Sequence, residues 1–248
     1  MGSPLDPNWI AVSEGRRIRD VFQGEDQRGV IFPVGFGAWL NENMDRAQVH
    51  LNRYFGDSHS DGYTYAGRHF EWFVERGLSE SGFSEIHLLA VNALNVTVPP
   101  HVSRLVLSRD PNIEALVGEC LLIWHKDESP TLWNISPAEL ASFASLYDCL
   151  NAEPGMGYVT TSKLMAARFP NIVPIRDSLV ERLLGLEKSE TWWNHMQAIM
   201  SEPSIRYLLS ELDIPEPSRP VGLLRRLDVI LWMEARARKI DVVPQTAL

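Results

Sequence analysis

Residues 154–163, "PGMGYVTTSK", set two glycines two apart behind a proline and hard against the start of a helical pattern. Glycine carries no Cβ penalty where φ is positive and lets another backbone come close. The first amides of the helix that follows have no acceptor within it, and the positive end of its dipole stands behind them. Gly155, Gly157 and the amides near Val159 and Thr160 therefore form a seat for an anion, most naturally a phosphate. Lys163 comes one helical turn after Val159, on the same face. Twenty residues after Gly157 stands a lone acid, Asp177, at the start of a further helical segment. Its carboxylate can cap that helix or face a cleft, where a carboxylate stabilises positive charge or takes a proton from water. Arg176 beside it can favour the ionised carboxylate or stand as a solvated neighbour.

Holding these groups in place requires a hairpin of helices. One helix ends near Asn151, Pro154 to Gly157 turns the chain, and a second helix runs over 157–168. That helix ends in "ARFPNIVPIRDS", where Pro170 and Pro174 bound an extended connector leading to Asp177. Most of the remaining chain also reads at helical period. Leu40, Met44, Ala47 and Leu51 form one stripe over 40–55, and 84–96 is apolar almost all round, as a central helix would be. Asp110 with Pro111, and Ser136 with Pro137 and Glu139, are helix starts of the capping type. Further helices are expected at 177–185, 189–200, 203–211 and about 219–239. The best strand candidate, "GVIFPV" at 29–34, contains Pro33, which moves it to an edge or a loop. The expected fold class is mainly α: a compact multi-helix globule in a single domain over 1–248, divisible into lobes 1–135 and 136–248.

The composition narrows the function classes. A chain of 248 residues, 45% hydrophobic and 22% charged, can bury a sizeable core. No apolar run reaches the roughly 18 residues of a membrane span, and the N-terminus lacks the basic-then-apolar order of a signal peptide, so the cytoplasm is the expected compartment. With 23 basic against 32 acidic residues, the net charge of −9 disfavours broad nonspecific nucleic-acid binding and leaves room for a local basic face. Basic residues cluster at Arg16, Arg17 and Arg19, and again at Arg225, Arg226, Arg236, Arg238 and Lys239. The second set reads as the exposed side of the last helix, either a solvated face or a phosphate-binding edge. Cys120 and Cys149 sit in apolar helical patterns and read as buried free thiols.

Helix, Pro-Gly-x-Gly turn, helix, extended loop and Asp, over 146–185, resembles the helix-hairpin-helix DNA glycosylases. The resemblance implies that the hairpin grips a phosphate of double-stranded DNA and that Asp177 serves base excision. It also implies that the target base is flipped into a pocket. Where the bifunctional members carry a lysine, two residues after the second glycine, this chain has Val159, which fits the hydrolytic, monofunctional members. The family pattern assigns no role to Lys163. Most of the chain, including "YAGRHFE", "LLAVNALNVTVP" and "LLRRLDVILWM", also looks like an uncharacterised family of actinobacterial helical proteins. A base pocket needs flat apolar walls and a few polar groups. "GYTYAGRHFEWF" at 62–73 is the candidate source, with Arg68, Glu71 and Trp72 facing a cleft while Phe70, Phe73 and Ala66 face the core. Trp39 is a second aromatic candidate; the competing reading, core packing of the aromatics with Arg68 and Glu71 as a surface pair, is the usual outcome for aromatic stripes at helical spacing.

Other constellations fail on spacing. "DSHSDG" at 57–62 begins like a calcium loop, but Arg68 stands at its twelfth position, where a glutamate is needed. No spacing suits zinc, no nucleotide-binding loop or nucleophile elbow is present, and no cofactor is called for. Three classes stay open: a hydrolytic DNA glycosylase for repair or for defence against modified phage DNA, a helix-hairpin-helix module that binds nucleic acid without chemistry, and an interaction protein without DNA contact.

Overall fold

Twelve α-helices and one 3-10 turn make up the regular structure of the described residues in this computed structural model, with no strand among them. Those residues are 35–56, 64–126, 130–186, 192–215 and 221–238. The strand candidate at 29–34, the cluster Arg16, Arg17 and Arg19, the turn with Asp57, His59 and Asp61, and Lys239 lie outside them.

The helices are α1 (Phe36–Glu42), α2 (Met44–Phe55), α3 (Phe70–Gly77), α4 (Glu85–Ala93), α5 (Pro100–Leu107) and α6 (Pro111–Trp124). They continue as α7 (Pro137–Asn151), α8 (Gly157–Arg168), α9 (Ser178–Leu184), α10 (Trp192–Ser201), α11 (Pro203–Glu211) and α12 (Leu223–Ala237), with the 3-10 turn at Ala66–His69. Local chemistry sets several starts. Asp110 accepts the amides of Asn112 and Ile113 at the head of α6. Ser136 and Glu139 close a reciprocal capping box on α7.

Two expected helices differ. The stripe over 40–55 is broken at Asn43, whose side chain bonds to the Trp39 carbonyl at 2.8 Å and so closes α1 before α2 begins. The helix expected over 84–96 ends at Ala93, because Asn95 adopts φ 57°. Asparagine enters this left-handed region more easily than most residues. Pro100 opens α5. α4 is not central, since Leu89 on it is 46% exposed.

The central places go to α8 and α12. From Thr161 to Arg168 every residue of α8 is buried, beneath α3, α4 and α7. Its hydroxyl side chains tolerate this because Thr161 Oγ1 donates to the Gly157 carbonyl at 3.0 Å and Ser162 Oγ to that of Val159 at 3.0 Å. α12 lies against α2 on one side and α9 on another, so helices from before and after residue 135 share one core.

Candidate functional site

The glycine turn takes the form its residues demand. Gly155 has φ 80° and Gly157 has φ 54°, a region that costs a side-chain-bearing residue about 1–2 kcal/mol. A Cβ on Gly157 would meet nothing within 4 Å, and one on Gly155 would only touch Pro99 Cγ at 3.4 Å. Backbone conformation, and not crowding, therefore requires both glycines. No side chain caps the start of α8 at Met156. Tyr147 of α7 donates its hydroxyl to the Tyr158 carbonyl at 3.1 Å and clamps the two helices of the hairpin together.

Ser162 then fixes where the chain goes after α8. Its Oγ accepts the Arg176 amide at 3.0 Å, so the connector is pinned back along α8 just before Asp177. Asp177 caps α9, with Oδ1 accepting the Leu179 amide at 3.0 Å. Its other oxygen, Oδ2, lies 3.6 Å from the buried ammonium of Lys163, which also donates to the Leu94 carbonyl at 3.2 Å. Capping and facing a cavity are thus divided between the two oxygens of one carboxylate. Arg176 is bound to Glu181 at 2.6 Å and lies over the Tyr158 ring at 4.4 Å.

Asp177 and Lys163 line a cavity of about 260 Å³. Its walls are aromatic. Tyr54 and Tyr65 stack with centroids 5.3 Å apart, and Trp232 meets both edge-on at 6.0 and 5.6 Å. The exposed residues Ala66, Asn95 and Arg236 mark its mouth. Small-molecule sites span roughly 300–1,000 Å³, so this one suits a single ring system and not a dinucleotide.

Behind the aromatic walls Arg225 and Asp228 close the cavity and separate it from a second, more apolar one of about 350 Å³. Arg225 is buried and uses its whole guanidinium: on Glu71 at 2.7 Å, on Asp228, on the Tyr54 oxygen at 2.8 Å and on the Gly67 carbonyl at 3.1 Å. One guanidinium serves two carboxylates. Burial therefore pushes the Asp228 carboxyl up to about 6, with Asp177 adding to the rise while Arg225 and Lys163 oppose it. Burial likewise raises Glu71 against the pull of Arg225. Tyr54 is raised to about 12, first by burial and then by the two carboxylates, against Arg225, and remains a neutral phenol.

Several residues singled out from the sequence lie elsewhere. Lys163 belongs to the cavity and not to the anion seat of the turn, because α8 is buried around it. Trp39 is core, stacked on Phe36 at 5.8 Å. Trp72 is a surface residue, 39% exposed, beneath the Arg76 guanidinium at 3.4 Å. Arg68 and Glu71 share no cleft: Arg68 donates to the Gly56 carbonyl at 2.6 Å, and Glu71 binds Arg225. Ala66 is exposed because the 3-10 turn breaks the helical register with Phe70. Arg225 is buried, contrary to its expected place on a basic exterior. Arg226 spends its charge on the carbonyls of Leu209, Leu212 and Val221. Cys120 is buried and Cys149 half-buried, both as free thiols.

The aromatic walls and the Arg225–Asp228 pair escaped sequence reasoning. One signal was available, since Arg225 and Asp228 are three apart and Trp232 follows at four, which puts all three on one face of the last helix. A family model, described as a family of unknown function (DUF6308), matches residues 47–235. Among curated proteins and solved structures nothing matches the chain.

Proposed function

The chain belongs to that family of unknown function, and from its own site we propose that it is a hydrolytic DNA glycosylase with a core of the helix-hairpin-helix type. One observation carries this reading: Asp177, twenty residues beyond the glycine turn, lines an aromatic-walled cavity sized for a single base. In this mechanism the amides at the head of α8, opened by Gly155 and Gly157, hold a DNA phosphate. The base leaves the stack and enters between Tyr54, Tyr65 and Trp232. The C1′–N bond breaks with its electron pair passing to the base, and Asp177 stabilises the positive sugar. Water adds to C1′ and gives up its proton to Asp177, leaving free base and an abasic site. Lys163 acts as a positioning residue, because its ammonium beside Oδ2 holds the carboxylate toward the cavity. Val159 at the position of the family's lysine supports hydrolysis over a covalent lyase step.

The cap that Asp177 makes on Leu179 favours a second reading, in which the hairpin holds nucleic acid without chemistry. Asp177→Asn separates the two. Under the glycosylase reading it abolishes abasic-site formation and leaves the thermal melt of the protein within a few degrees. Under the binding reading DNA affinity is unchanged or higher and neither protein releases a base. If the wild-type protein makes no abasic sites on a panel of damaged and modified duplexes, the glycosylase reading fails.

A further inference from the structure

The second cavity lies across Arg225 and Asp228 from Asp177 and has no part in the chemistry proposed above. Its volume of about 350 Å³ is within the range of small-molecule sites. The walls are apolar and come from four parts of the chain: Phe70 and Val74 of α3, Trp124 of α6, Val173 of the connector and Leu224 of α12. One group is out of keeping with them. Glu71 lines this cavity and not the first, and its two oxygens are in different situations. Oε1 accepts from Arg225 Nε at 2.7 Å, a charge-assisted bond of the kind a carboxylate makes. Oε2 is buried and, among the described residues, has no hydrogen-bond partner. Buried acceptors are rarely left so, and a charged one is the costliest to leave. Among the described residues that line the cavity Arg225 is the one cation, and it is already committed to Glu71 Oε1, Asp228, the Tyr54 oxygen and the Gly67 carbonyl. The rim is open at a glycine. Gly222 has φ −62°, which any residue adopts, so backbone conformation does not call for glycine there. A Cβ at that position would stand 3.2 Å from Asn171 Oδ1, and its absence leaves room at the exposed edge.

We propose that this cavity is a second ligand site and that it takes a small arylalkyl amine, with its ring between Phe70, Trp124 and Leu224 and its ammonium on Glu71 Oε2. The volume fits one ring with a short arm, and the flat side chains suit an aromatic body. An ammonium supplies the donor that Oε2 lacks. It also offsets the burial that raises this carboxyl against the pull of Arg225. A second acid, Glu75, stands exposed at the edge and favours a cation on the way in. The inference goes beyond the glycosylase reading and does not depend on it.

Calorimetric titration of the full chain at pH 8 compares 2-phenylethylamine, an ammonium at that pH, with its neutral isostere 2-phenylethanol. The amine is expected to bind about tenfold more tightly, the margin of a charge-assisted hydrogen bond over a neutral one. Glu71→Gln is expected to cut that preference below about threefold, in line with loss of the same margin. Val74→Phe, which fills the cavity, abolishes binding of both probes, while Asp177→Asn, across the Arg225–Asp228 partition, leaves it unchanged. Thermal melts report whether each variant is folded; if Glu71→Gln is not, the two probes with Val74→Phe and Asp177→Asn decide the matter. The proposal is overturned by equal or tighter binding of the alcohol, or by no heat from the amine at millimolar concentration. It is overturned as well if binding survives Val74→Phe and is lost in Asp177→Asn, since that places the amine between Tyr54, Tyr65 and Trp232. Neither probe has a glycosidic bond, so the glycosylase reading can fail with this site intact, and the site can fail with that reading intact.

Discussion

Replacing Asp228 by asparagine is expected to stabilise this protein at neutral pH, although it removes the charge of an ion pair. The reason is the one guanidinium shared by two carboxylates. Burial raises the Asp228 carboxyl from its ordinary 3.8 to about 6, and Asp177 adds to the rise, while Arg225 and Lys163 only partly offset it. A group whose folded value is raised contributes stability that is full below its unfolded value and lost as pH rises through the folded one. The shift of about two units, at 1.36 kcal/mol each, sets a ceiling of about 3 kcal/mol on the cost of ionising Asp228 at pH 8. Asparagine keeps the shape and the acceptor oxygen and never ionises. For a domain of this size, 1 kcal/mol moves Tm by about 2–4 °C, so Asp228→Asn is expected to melt up to about 6–12 °C higher at pH 8. At pH 4 and below the two proteins should melt together. Thermal or urea unfolding of both across pH 4–8 reads this directly. A variant less stable than wild type at pH 8, or a difference that does not change with pH, would refute the charge reasoning. A stabilising substitution at a cavity residue is what a trade-off between stability and activity looks like.

Two further outcomes follow from packing and titration. A Cβ on Gly67 would lie 2.0 Å from the Tyr54 hydroxyl oxygen, which Arg225 and the Tyr65 ring hold in place; Gly67→Ala is expected to cost about 1–3 kcal/mol in urea unfolding, and an unchanged midpoint would count against this geometry. His87 is lowered to about 4, first by burial and then by Arg168, so it is neutral when folded, and its contribution is lost as pH falls from 6.5 toward 4. The drop is about 3 kcal/mol. His87 Nδ1 accepts the Ser84 amide at 2.9 Å, and glutamine can keep that capping bond. His87→Gln is therefore expected to flatten the acid limb of the stability profile, and an acid limb as steep as wild type would contradict the assignment.

Legibility in the sequence followed the range of the forces involved. The bounds of α8 and α11, the Asp110 cap and the capping box of Ser136 and Glu139 all stand where the sequence places them. Each depends on neighbours within four residues. The breaks at Asn43 and Asn95 were missed because a side-chain turn and a left-handed asparagine leave no mark on hydrophobic period. Trp39 and Trp72 were misplaced for a related reason: aromatic spacing says that a face exists and not what covers it.

By itself, then, the sequence determined a helical chain, a glycine turn before α8 and an acid at the head of α9, because backbone sterics and end-capping are local. Only the tertiary structure decided what that acid faces. Tyr54 and Trp232 become two walls of one cavity because α2 packs on α12 across most of the chain. Arg225 becomes a buried hub because Glu71 of α3 and Tyr54 of α2 reach it from across the fold, joining Asp228 of its own helix. The fate of a charge depends on its partners once water is removed, and apart from Asp228 the partners of Arg225 are distant in sequence.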